Sequence, residues 1–370
     1  MKQLGLDDSG FMKQPKKTRK AQFLSEMDRV VPWSRLIALI EPHYPKPGKG
    51  RRPIALDTML RVHFMQQWFA YSDPAMEEAL HDIPLLRRFA GLDAAVEGMP
   101  DETTILKFRH LLERHGLATA MLDEINALLG ERGLILRHGT MVDATLVAAP
   151  TSTKNSKGKR DPEMSSTKKG NQWYFGMKAH IGADTAHGLV HTVVGTAAKV
   201  PDVKVTDELL HGDEDEVHGD KGYTTKARNL SASDPKRGPL WCFPYKRRPS
   251  EELPEWKREI NHRLSQLRAR VEHPFRVIKR QFGFTKVRYR GLAKNTAQLT
   301  TLFALSNLYL VRRQLLQVVG EMCPAAGRGP PDDLRTHRAR RKADCGEVQD
   351  RKSPRLNPSH EPTTRLASSD

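Results

Sequence analysis

A mixed β-sheet flanked by helices, preceded by an all-helical segment, is what this 370-residue chain predicts. Two observations carry that expectation. From about residue 22 to 132 apolar residues recur at helical spacing in short runs punctuated by Pro and Gly. From 139 to 220, β-branched runs of strand length alternate with turn-forming residues.

The elements follow in order. Residues 1–21 are polar and basic, with Lys16-Lys17-Thr18-Arg19-Lys20 reading as a solvated charge run that could also brush phosphates. Residues 22–134 form the helical domain. Its helical patterns run from Trp33 to Ile40, Leu56 to Phe69, Met76 to Leu80, Pro84 to Ala90, Glu102 to Arg114 and Leu117 to Leu129. A basic Pro/Gly-rich loop from Pro42 to Pro53 interrupts them, and Pro100-Asp101-Glu102 marks a helix start. In Thr103 to His110, Lys107 and Arg109 supply the basic positions that a helix inserted in a DNA groove needs. The same pattern also serves a surface helix whose Ile105, Phe108, Leu111 and Leu112 pack on its neighbours.

Residues 135–320 form the second domain. Gly139 to Val147 reads as a buried strand that carries one carboxylate, Asp143. An unpartnered charge in such a run is costly, so Asp143 calls for a hydrogen bond, an ion pair or a metal. Thr151 to Asn171 is polar and basic, a loop suited to tracking phosphates. Trp173 to Gly182 and Gly188 to Gly195 read as a hairpin, with Trp173 and Tyr174 as core or rim aromatics that could alternatively stack on a base. Lys178 and His180 share a strand face, and Lys178 is a candidate DNA contact. His180 and His191 read as packed or surface histidines. Val203 to His211 predicts a helix leading to a short strand that ends at Asp220.

A third carboxylate, Glu272, sits in the basic segment from Arg263 to Arg280, where Leu264, Leu267 and Val271 have helical spacing. Arg268 and Glu272 are four apart and Lys279 seven further on, so all three fall near one helical side. They suit a phosphate grip, or simply an intrahelical ion pair worth ~0.3–0.5 kcal/mol. Ala297 to Leu310 supplies a closing helix. The strand order is the ribonuclease H-like plan, in which folding brings Asp143 beside Asp220. Residues 321–370 are rich in Pro, Arg, Ser and Asp and hold too little apolar surface to fold.

Met141 to Pro150, Lys168 to His180, Gly219-Asp220-Lys221-Gly222-Tyr223 and the Arg268, Glu272, Lys279 spacing resemble bacterial insertion-sequence transposases of the DDE type, nearest the insertion sequence five family. One departure is Ser265, where the family often has tyrosine. The resemblance spans about residues 1–315. It implies that Asp143, Asp220 and Glu272 are catalytic and hold two Mg²⁺ ions, with Mn²⁺ as a substitute. It also implies that Arg268 and Lys279 position phosphates, and that the helical domain binds terminal inverted repeats. Two hard cations about 4 Å apart suit in-line phosphodiester displacement.

Composition agrees with a nucleic-acid partner: 61 Lys and Arg against 44 Asp and Glu give a formal charge of +17. Cys242, Cys323 and Cys345 form no Cys-x-x-Cys pair, so neither a disulfide framework nor a structural zinc is expected. No apolar run reaches membrane-span length, and the chain reads as cytoplasmic. The expected partners are double-stranded DNA, at the element's ends and at the target, and a second copy when two ends are synapsed. A catalytically inactive DNA-binding regulator and a nuclease without strand transfer remain as alternatives.

Overall fold

The computed structural model of the chain describes residues 17–48, 52–93, 98–156, 158–225, 228, 238–247 and 252–322. The expectations for residues 1–16 and for the tail beyond 322 lie outside the described residues.

Among the described residues, seven α-helices precede the first strand: α1 (Arg19–Val30), α2 (Trp33–Ile40), α3 (Leu56–Phe69), α4 (Asp73–Asp82), α5 (Pro84–Ala90), α6 (Glu102–Arg114) and α7 (Leu117–Glu131). The expected basic tail ends earlier than its composition suggests. Leu24, Met27 and Val30 give α1 a buried stripe at helical spacing, and the Thr18 hydroxyl accepts the Ala21 N–H at 3.1 Å to cap it. Helix α3 is buried almost all round, from Thr58 to Trp68, and so forms the centre of this layer. Trp68 meets Phe23, Phe64 and Phe89 in edge-on and tilted ring contacts.

The sheet comprises β1 (Gly139–Ala148), β2 (Ser165–Lys169), β3 (Gln172–Asp184), β4 (Val190–Ala197), β5 (Glu216–His218) and β6 (Leu240–Cys242). Its order is β2-β3-β1-β5-β6, with β4 also paired to β3. Strand β1 runs antiparallel to β3 and parallel to β5, which in turn runs parallel to β6, so the sheet is mixed.

Three local expectations are corrected. The stretch expected as a loop from Thr151 to Asn171 closes on β2, whose Ser165 to Lys169 pair with β3. The helix expected from Val203 to His211 is two short 3-10 turns, Asp202–Lys204 and Thr206–Leu209. Pro201 fixes the entry, and Thr206 donates its hydroxyl back to Asp202 and Val203 carbonyls, which closes a tight turn in place of a helix. The segment carrying Glu272 is not one helix: α8 (Glu255–Arg268) passes through a 3-10 turn, Ala269–Val271, into the short α9 (Glu272–Arg276), and then a π turn, Val277–Gln281. Pro274 lacks the N–H that a continuous helix would need at that point.

Helix α10 (Leu292–Met322), longer than expected at 31 residues, joins the two layers. The Asn307 side-chain N–H₂ donates to the Val190 carbonyl at 2.7 Å and to Asn126 of α7 at 2.9 Å, while its Oδ1 accepts the Val190 N–H at 2.8 Å. Gln298 donates to Gln67 of α3. One apolar core therefore runs from Leu24 through the sheet to Leu315. Fully buried side chains such as Phe303 and Leu305 each contribute ~1.5–3 kcal/mol to it.

Candidate active site

Register decides which carboxylates can meet. In the parallel pair β1 and β5, Thr140 lies opposite Val217 and Met141 opposite His218. Continued two residues, that register sets Asp220 level with Asp143. Alternation puts both on the face of Met141 and His218, away from Val142 and Val217. The opposite face is closed by Val142, Val205, Leu209, Val217 and Tyr223, a separate apolar cluster.

The Asp143 face is covered by the segment that carries Glu272. Lys279, expected to position phosphate, is corrected: on the π turn its Nζ donates to the Thr145 hydroxyl at 2.6 Å and to the Leu146 carbonyl at 3.1 Å, fixing that segment across β1. Glu272 itself is exposed at the start of α9. Arg268 Nη1 lies 3.7 Å from Asp220 Oδ1, and Asp220 Oδ1 also accepts the Lys221 N–H as the cap of the 3-10 turn Lys221–Tyr223.

Asp143 has little compensation for its burial. Its Oδ1 accepts the Ala144 N–H at 2.9 Å. Burial pushes its carboxyl up to about 6; the Ala144 N–H and the Arg268 charge oppose that rise, and the charges of Asp220 and Glu272 add to it. Beneath the acids, Tyr223 is 2 % exposed and its hydroxyl has no hydrogen-bond partner among the described residues. Burial, followed by the negative charges of Asp202, Asp143 and Asp220, holds that phenol above its ordinary value. Sequence reading gave Tyr223 no role, because a tyrosine after a glycine-rich turn does not announce its depth.

The three carboxylates form no single-ion cage. Among the described residues, the trio of metal-ligating types with atoms all within 4.8 Å of one another is Glu216, His218 and Cys242. Wider spacing is compatible with two cations, because ions about 3.5–4 Å apart draw on ligands from either side. The donors are hard carboxylate oxygens, one of them half-buried and short of positive charge, which is the chemistry that Mg²⁺ accepts.

The remaining predicted site residues separate. Lys107 is exposed on α6. Arg109, expected to reach DNA, is corrected: it is 7 % exposed, its guanidinium lies 2.8 Å from Asp73 and 3.2 Å from Glu113, and it stacks 3.9 Å from the Tyr289 ring centre. A side chain held in this way ties α4, α6 and the 289 region together and does not face solvent. Lys178 is corrected too. It pairs with Leu146, which puts it on the face opposite Asp143, and its Nζ donates to the Val200 carbonyl at 2.8 Å and to Asp202 at 2.9 Å. His180 is fully buried against Thr196, and burial lowers its imidazole to about 4. Trp173 is 72 % exposed on β3.

Among the described residues no helix is long and apolar enough to cross a membrane. No solved structure matches the chain. Residues 136–308, which include Asp143, Asp220 and Glu272, match the family model described as Transposase DDE domain. Residues 12–111, which include α1 to α5 and most of α6, match the model described as Transposase domain (DUF772). The two domains stand in this order on one chain and indicate a transposase of the DDE type, and the DDE domain implies nuclease and transposition activity.

Proposed function

We propose that this chain is an insertion-sequence transposase, of the insertion sequence five kind, that binds the terminal inverted repeats of its element, cleaves at the ends and joins the freed 3′-hydroxyls to target DNA. The observation that carries the reading is the parallel β1 and β5 register, which, continued two residues past Met141 and His218, would bring Asp220 level with Asp143 beside the segment that bears Glu272. The strand order, with an antiparallel β4-β3-β1 half and a parallel β1-β5-β6 half, supports a ribonuclease H-like plan.

Asp143, Asp220 and Glu272 are the residues that would hold two Mg²⁺ ions, with Mn²⁺ as a substitute. Bound there, the pair supplies activation of an attacking oxygen and stabilisation of the leaving one. The rest falls to the chain's own groups. Arg268, 3.7 Å from Asp220, steadies that carboxylate and faces an incoming phosphate. Lys279 locks the glutamate segment onto β1, which sets the height of Glu272 above the sheet. Exposed Arg276, Arg280, Lys168 and Lys169 offer positive charge along the same side for the DNA backbone. Lys107 lies on the helical layer, where the terminal repeat would be gripped. Synapsis of two ends calls for two copies of the chain.

The test is a strand-transfer assay with DNA bearing the parent element's ends, in Mg²⁺. Cleaved ends and a joined product are expected from the wild-type chain and neither from Asp143→Ala. Cleavage without joining would assign a nuclease. Footprinting of the ends without cleavage would assign a regulator.

A further inference from the structure

A second cluster lies two residues behind Asp220 and has a different chemistry. His218 of β5 pairs with Cys242 of β6, and Glu216 is two residues earlier on β5. Alternation puts all three side chains on one side of the edge of the sheet. Each offers one ligand atom, and these atoms lie within 4.8 Å of one another. His218 is 2 % exposed, and neither ring nitrogen makes a hydrogen bond among the described residues. Its Nε2 is 3.1 Å from Glu216 Oε1, close enough for an ion pair but without hydrogen-bonding alignment. Room for Glu216 comes from Gly139: a Cβ there would sit 2.9 Å from the Glu216 Cγ.

A buried imidazole that makes no hydrogen bond costs free energy. Burial and the Glu216 charge hold the Cys242 thiol up at about 11, so it stays protonated at neutral pH until something displaces the proton.

We propose that Glu216, His218 and Cys242 form a zinc-binding site separate from the carboxylate trio. A nitrogen, a sulfur and an oxygen donor suit borderline-soft Zn²⁺ and are poor ligands for Mg²⁺. On binding, the Cys242 thiol releases its proton to solvent. The resulting thiolate and the Glu216 carboxylate then balance the two positive charges, and a water molecule fills the fourth position. The ion ties β6, a three-residue edge strand, to β5 immediately before Asp220. The proposal does not depend on the transposase reading and widens what the sequence suggested, since three scattered cysteines gave no spacing that implies zinc.

The test uses the full chain with Cys323→Ser and Cys345→Ser, which leaves Cys242 as the single thiol. Titration with Co²⁺, a spectroscopic stand-in for zinc, should give a thiolate-to-cobalt band in the near ultraviolet at one equivalent, and one equivalent of Zn²⁺ should discharge it. Cys242→Ser should remove the band. Glu216→Gln, at a position 41 % exposed, should weaken zinc binding at least about tenfold with unchanged melting in chelator. Asp143→Asn should leave the titration as it is. In the wild-type chain, zinc should slow alkylation of Cys242 as mapped by mass spectrometry. A folded protein with no band, a band that survives Cys242→Ser, a band lost in Asp143→Asn, or alkylation indifferent to zinc would each overturn the site.

Discussion

Two charges shielded from solvent in this molecule, buried Arg109 in the helical layer and half-buried Asp143 in the sheet, have opposite surroundings. Arg109 faces Asp73 and Glu113 across 2.8 and 3.2 Å and lies over the Tyr289 ring, so its charge is matched inside the protein. Asp143 has one backbone N–H and the field of Arg268 against the combined effect of burial, Asp220 and Glu272. A matched buried charge holds a fold together. A half-buried charge left short of its counterpart marks a place where something else is meant to bind, and the cost is borne until it does.

The comparison can be broken most severely at Asp143. Asp143→Ala should lower strand cleavage by about three orders of magnitude or more, ~4 kcal/mol in the barrier, with end binding in gel-shift assays retained. Arg109→Ala should act in the opposite sense. Stripping the partner from Asp73 and Glu113 should cost ~3 kcal/mol or more of stability in urea denaturation, while DNA affinity per folded molecule stays the same. If Arg109→Ala instead kept its stability and lost DNA binding, the matched-charge reading would fall.

A subtler experiment uses pH. Folded Asp143 keeps its proton to about 6, whereas the unfolded chain releases it near 3.8. Between those values the folded state binds more protons, so in chelator the wild-type protein should lose stability as pH rises from about 4 to about 6, and hold level above. The gap corresponds to ~3 kcal/mol at most. Asp143→Asn lacks this penalty, so thermal melts should show it more stable than wild type above pH 6 and equal below pH 4. Mg²⁺ should raise the wild-type melting temperature and leave that variant's nearly unmoved. The smallest effect belongs to exposed Lys107: Lys107→Ala should reduce the salt dependence of end binding by about one phosphate contact and leave stability unchanged.

Much of this arrangement was legible in the chain. Helices α2, α3, α5 and α6 fall where periodicity and Pro/Gly punctuation put them, and Asp143 is conspicuous as a charge in a β-branched run. What escaped reading depends on distant partners. The pattern of α6 shows a basic residue at 109 but not that Asp73, 36 positions earlier, would meet it. Lys178 sits on a strand whose orientation is set only by pairing with β1, so the face it would occupy could not be read from its neighbours. Strands β2 and β6 are short and polar or lone in sequence, and they become strands because β3 and β5 present free edges. The π turn at Val277–Gln281 has no composition signal; Lys279 reaching Thr145 accompanies it.

Helix α10 touches both layers along its length, through Gln298 to α3 and through Asn307 to β4 and α7. A rigid rod bolted at two points leaves no slack between them. If the front helices seize a terminal repeat, the phosphate offered to the carboxylates lies a set number of base pairs away, and the chain itself acts as the ruler. Lengthening the spacer between repeat and cleavage point by half a helical turn of DNA should then stop the cut without loosening the grip.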